Sequence, residues 1–155
     1  MSFMGPLEDR LEIRELLDSY ADASIRHDIE DIARCWSDDS LWCFELGEFH
    51  GKDQIRKALF GLRDQYGGVH KADIRLYTSN LGSLIVDNLS ATGRSYASIF
   101  AGVSGTSISS EIFGVYDDRF IKSDNRWLFK SRHFKSLHTK SFTKKIRKEP
   151  IKYSL

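Results

Sequence analysis

Between Pro6 and Ser24 the apolar positions recur at three- and four-residue steps: Leu7, Leu11, Leu16, Leu17, Tyr20 and Ala21 fall on one stripe. That spacing predicts a helix with a single buried face, opened by Pro6. Asp28, with Asp31 three positions on, reads as an N-cap and a capping-box-like restart, and Ile29, Ile32, Ala33 and Trp36 as the face of a short second helix. The run LWCFELGEFHG alternates about Gly47-Glu48 and predicts a hairpin. In KDQIRKALFGLRDQYGG, Asp53 is the expected cap of a third helix, Ile55, Leu59 and Leu62 its inner face, and Gly67-Gly68 its stop.

Near Asp73 the apolar period changes from 3.6 to 2. ADIRLYTSNLGSLIVDN, ATGRSYASIFAGV, SISSEIFGVYDDRFIKSD and RWLFKSRHFKSL are strand-like runs separated by Gly, Asn, Asp and Ser. Helices followed by a long antiparallel sheet define an α+β domain: three N-terminal helices packed on a strongly curved, mostly antiparallel sheet. Such a sheet, covered on one side, encloses a conical pocket, and chemistry is expected there.

Composition narrows the function classes. A chain of 155 residues, 41% hydrophobic and 12% aromatic, holds one core and is too apolar for a disordered segment. The net charge of +1 hides a basic end: residues 135–155 carry seven Lys or Arg against Glu149, a local +6, which leaves −5 for the rest. We divide the chain into a domain over 1–134 and a basic extension over 135–155, expected to be solvated or partner-docking. Seven positive charges without base-reading geometry would give only a salt-sensitive hold on nucleic acid, so no specific nucleic-acid partner is expected. Cys35 and Cys43 lack metal-ligand spacing, and no metal site is expected. The absence of an apolar signal core or a membrane-length run leads us to expect a cytoplasmic protein with no membrane partner.

The runs IRELLDSYADASIRHDIEDIARCWSDDSLW, FHGKDQIRKAL, YTSNL and FGVYDDRFIKSDNRWLFKSR together resemble the nuclear transport factor two superfold. Within it they resemble the SnoaL-like group, which includes polyketide cyclases, scytalone dehydratase and hexachlorocyclohexane dehydrochlorinase. The likeness covers residues 7–134 and implies a cystatin-like α+β barrel, a small hydrophobic ring compound as ligand, no cofactor, and a homo-oligomer, dimer or trimer. It further implies a cofactor-independent lyase or isomerase. Such chemistry needs a base in an apolar cavity, a group that orients it, and a donor for the developing negative charge. By the group's spacing, the usual Asp falls on Ile25, three residues before Asp28, and the usual His on Leu76, four before Asn80. Both are aliphatic here.

Ile25 continues the Leu17–Ala21 face, so Ile25 and Leu76 are expected to meet in the cone, with Leu17, Trp42 and Phe44 as further lining. The acids of DASIRHDIED then read as caps and solvated groups, with Asp22 and His27 as an alternative dyad. Arg132, five residues after Trp127, matches the group's pocket arginine, and its alternative is an ion pair with a strand acid such as Glu111. Strand alternation lets only one of Arg132 and His133 face inward. Tyr20, His70 and His133 are the candidate proton-transfer groups beside Arg132. If the missing pair ends catalysis, the chain is a silent ligand-binding domain, or a scaffold like the small subunit of ring-hydroxylating dioxygenases.

Overall fold

The structure is a computed structural model and describes residues 2–45, 47–66, 72–103 and 108–143. Its elements are β1 (Phe3–Met4), α1 (Leu7–Arg26), α2 (Ile29–Arg34), β2 (Trp36–Phe44), β3 (Gly47–His50), α3 (Lys52–Tyr66), β4 (Ala72–Asp87), β5 (Ser90–Val103), β6 (Ile108–Ser123) and β7 (Arg126–Thr143). The helices lie on one sheet of seven strands in the order β1-β4-β5-β6-β7-β2-β3. The β4–β7 meander and the β2–β3 pair are antiparallel; β2 joins β7, and β1 joins β4, in parallel. The sheet stays open, with β1 and β3 at its edges. This is the expected α+β architecture, extended by the two-residue strand before α1.

Extra residues interrupt the ladders and bend the strands that carry them. Register shifts place one at Arg75 and one at Gly82 in β4, and one each at Lys130 and Leu137 in β7. The core fills the inner face, where α1 presses Ile13, Leu17, Tyr20 and Ala21 onto Leu84, Val86, Ala91, Phe120 and Phe129.

Several local readings hold. The Asp28 side chain accepts from the Asp31 amide at 3.0 Å, closing the start of α2. Arg26 bonds Asp22, Asp28 and Asp31, and Arg34 bonds Asp31, so these acids are occupied with one another's cations at the exposed junction of the two helices. His27 ends α1 in the left-handed conformation at φ 56°.

Others are corrected. Trp36 does not close the second helix: it opens β2 and is fully buried. The hairpin pairs Phe44 with Gly47, so its turn precedes Gly47-Glu48. α3 begins one residue before Asp53; Gly51, at φ 82°, supplies the carbonyl that accepts from Ile55, and Gln54 accepts from the His50 amide. β7 continues past Phe134 to Thr143, so the first nine residues of the basic extension belong to the sheet. Residues 144–155, the Gly67-Gly68 stop and the Leu62 side chain lie outside the described residues.

The first turn of α1 is fastened to the β6–β7 turn. Asp9 accepts from Lys122 at 2.7 Å and from the Trp127 indole at 2.9 Å, and these bonds hold its carboxyl below the ordinary value. A depressed carboxyl stabilises the fold above its unfolded value and loses that contribution as pH falls through its folded one. The Asp9→Asn variant should therefore be less stable at neutral pH and show a shallower loss on acidification below about pH 4. Urea midpoints measured across that range check this, and parallel acid limbs for the two proteins would refute it.

Candidate ligand site on the inner face of the sheet

Arg132 would point outward if β7 were regular, because it stands an odd number of residues from the inward Trp127. The extra residue at Lys130 restores it: Phe129 pairs with Phe120, Ser131 with Arg119, and Arg132 with Asp118. The arginine then lies fully buried, while His133 is exposed on the opposite face. Arg132 is the one of the two that faces inward, and His133 is set aside as a proton-transfer candidate.

The guanidinium is held by the carboxylate across the ladder. Nε donates to Asp118 Oδ1 at 2.9 Å and Nη2 to Oδ2 at 3.1 Å, a two-point pair with both side chains about 1% exposed. The partner is thus Asp118 rather than Glu111. Three rings enclose the cation, with their centroids 3.9 Å (Tyr116), 4.3 Å (Phe129) and 4.7 Å (Tyr20) from its central carbon. Burial pulls Arg132 down, but Asp118 and the phenols raise it further, so the cation persists at any working pH. Burial drives Asp118 up against the charge and hydrogen bonds of Arg132, and the two-point contact keeps it ionised.

Tyr20, Tyr77 and Tyr116 form a phenol cluster beside this pair. Burial raises all three, so each stays protonated. Tyr20 contacts Tyr77, Trp36 and Phe129 edge-on, with centroids 6.0, 6.2 and 5.4 Å apart. The Tyr77 hydroxyl lies near enough to Tyr116 and Arg132 for weak hydrogen bonding, but completes no hydrogen bond of good geometry with either. Arg132 Nη1, Trp36 Nε1, Trp42 Nε1, Ser40 Oγ and Ser95 Oγ are likewise buried with no partner among the described residues. Each such group left unsatisfied costs about 1–3 kcal/mol.

The other candidates separate cleanly. Leu17 is 3% and Trp42 7% exposed; Phe44 stacks on Trp42 at 4.3 Å, extending the aromatic wall toward Phe49. Ile25 and Leu76 do not join the core. Leu76 is 46% exposed because Tyr77, Ser79 and Leu81 take the inner face of β4, which turns Leu76 outward. Ile25 is 36% exposed on the flank of α1, where Ser24 occupies the inward position and donates to the Tyr20 carbonyl at 2.7 Å. The expected meeting of Ile25 and Leu76 is therefore withdrawn. Asp22 is bound to Arg26 at the surface, and His70 lies outside the described residues.

Asp118, Tyr77 and Tyr116 were not singled out from the sequence. The signal was present in YDDRF, where Tyr116, Asp118 and Phe120 alternate onto one face, but it needed the bulge to bring Arg132 onto the same face. Among the described residues no group of three or more His, Cys, Asp or Glu could hold a metal ion. No helix is long and apolar enough to cross a membrane.

An open, mostly antiparallel sheet with helices on one face and a buried arginine–aspartate pair defines a mixed α+β fold. The chain belongs to the SnoaL-like domain family, whose model matches residues 5–133. A search of curated proteins gives no match. Among solved structures, the chain is similar to a scytalone dehydratase-like protein from Novosphingobium aromaticivorans DSM 12444, at 19% identity and TM-score 0.73, covering 96% of this chain and 97% of that one. It is similar to the hexachlorocyclohexane dehydrochlorinase LinA-type3 from Novosphingobium barchaimii LL02 at 17% identity and TM-score 0.75, covering 93% and 97%. It also resembles a variant of Rv3472, a protein of unknown function from Mycobacterium tuberculosis, at 25% identity and TM-score 0.65, covering 84% and 77%.

Proposed function

We propose that the protein binds a small, largely apolar ring compound on the inner face of the sheet and grips one acceptor atom of it with Arg132 Nη1 and the Tyr77 hydroxyl. The observation that carries this reading is the set of buried, unpartnered polar atoms around a buried cation. Aromatic walls from Trp42, Phe44 and Tyr20 supply the apolar contact. Titration of the full chain with uncharged bicyclic ketones, followed by tryptophan fluorescence, should give saturable binding that Arg132→Met weakens at least about tenfold. Equal affinity in the variant would remove Arg132 from the site.

Catalysis is the second reading, favoured by the phenols. Protonated Tyr20, Tyr77 and Tyr116 beside a permanent cation form the charge-stabilising half of a cofactor-independent lyase or isomerase. The named activities of the dehydratase-like and dehydrochlorinase neighbours are of this kind. Binding ranks first because the described inner face carries no histidine, and its buried carboxylate is committed to Arg132. A scaffold role would leave the unpartnered donors without purpose.

The outer face supports self-association. Leu76, Tyr96 and Phe113 are 46%, 47% and 37% exposed there, an apolar patch suited to a second copy. Light scattering at micromolar concentration should report a homo-oligomer that Tyr96→Glu dissociates; a wild-type monomer would end this reading.

A further inference from the structure

We infer that Asp118 sets the charge selectivity of the inner site, making it accept an uncharged hydrogen-bond acceptor and reject an anion of the same shape. This rests on the reading of the inner face as a ligand site and adds the chemical class of the guest.

Among the described residues, Asp118 and Arg132 are the only charged side chains that are buried, and their charges cancel. The carboxylate takes Nε and Nη2, so the part of the guanidinium left for a guest is Nη1, a donor backed by no net charge. Of the other unpartnered groups on this face, the Ser40 and Ser95 hydroxyls can donate or accept, and the rest are uncharged donors. Two indole N–H groups can only donate, and the Tyr77 phenol is held protonated and offers its proton. A carbonyl or ether oxygen can satisfy such donors without bringing a charge inside.

An anion meets different terms. It must shed its hydration to reach a low-dielectric face, and no uncompensated cation waits there to repay that loss. The Asp118 carboxylate, one guanidinium away, repels it. An arginine in the interior suggests an anion site by residue type alone, but the two-point pair reverses that expectation. If Asp118 loses its charge while keeping its shape, the site becomes cationic and the preference should invert.

The test uses the full chain and two probes of matched size at pH 7, the uncharged 2-acetylnaphthalene and the anionic 2-naphthoate, with binding read by calorimetry. Wild-type protein should bind the ketone at least about tenfold tighter, and Asp118→Asn should reverse the order. A wild type that binds naphthoate as well as the ketone, or better, overturns the inference while leaving the ligand-site reading intact. An unchanged preference in folded Asp118→Asn, with folding checked by circular dichroism, overturns the assignment to Asp118. If the variant does not fold, the wild-type comparison decides alone. Failure of both probes to bind the wild type overturns the ligand-site reading, and the inference with it.

Discussion

Replacing Arg132 with Met, or Asp118 with Ala, should destabilise the protein by about 3–5 kcal/mol, because either change strands a charge that has no route to water. For a chain of this size that lowers Tm on the order of 10 °C. The double replacement Arg132→Met/Asp118→Leu should recover most of the loss, since it removes both desolvation penalties and leaves apolar groups among Tyr20, Tyr116 and Phe129. The pH response carries the sign. In Arg132→Met the buried Asp118 loses the partner that opposed its upward shift, so the folded state prefers the protonated carboxyl. The penalty should be full near neutrality and shrink as pH falls through the raised folded value. Thermal unfolding of the four proteins at two pH values measures this, and single variants within about 1 kcal/mol of wild type would show that water reaches the pair.

Gly114→Ala should be the second large effect. A methyl group on Gly114 would sit 2.1 Å from Phe134 Cε2, 2.2 Å from Cζ and 2.9 Å from the Lys135 carbonyl oxygen. Phe134 cannot keep its place, and its ring also packs on Tyr116 at 4.7 Å, which in turn covers the Arg132 cation. Overpacking of this kind costs about 1–3 kcal/mol or more. It should also disturb ligand binding, because the displacement passes through Tyr116 to the arginine. Adding Phe134→Ala makes room for the methyl group and should restore part of the stability. A Gly114→Ala protein with wild-type urea midpoint would place the Phe134 ring elsewhere.

Much of this architecture was legible in the chain. The switch of apolar period near Asp73 separated helices from sheet, and Asp28 announced the start of α2 through its spacing to Asp31. Inward direction on the strands was not legible, because it depends on parity and the extra residues reset parity. Arg132 reaches the inner face through Lys130, which looks like an ordinary strand lysine. On β4, counting from Asn80 located Leu76, while the strand turned Tyr77 inward. Trp36 was misplaced for a related reason: a helix face and a strand start both offer a buried tryptophan a place, and the parallel pairing with Phe129 decides for the strand. Asp118 escaped notice because its role exists only across a ladder, opposite a residue fourteen positions later.

The extra residue at Lys130 also bears on how this chain drifts through evolution. Its side chain pairs with Asp39 at the exposed rim. Removing the residue would leave Phe129 opposite Phe120 and Arg132 opposite Asp118, on the same faces as before. A strand interior normally forbids single-residue deletions, since every following side chain changes sides. This position is permissive: the chain can lose the residue while the guanidinium stays inside. A shortened chain lacking Lys130 would contradict this if it exposed Arg132 to solvent. Without Lys130 the arginine would stand four residues after Trp127 instead of five and still face its aspartate across the ladder.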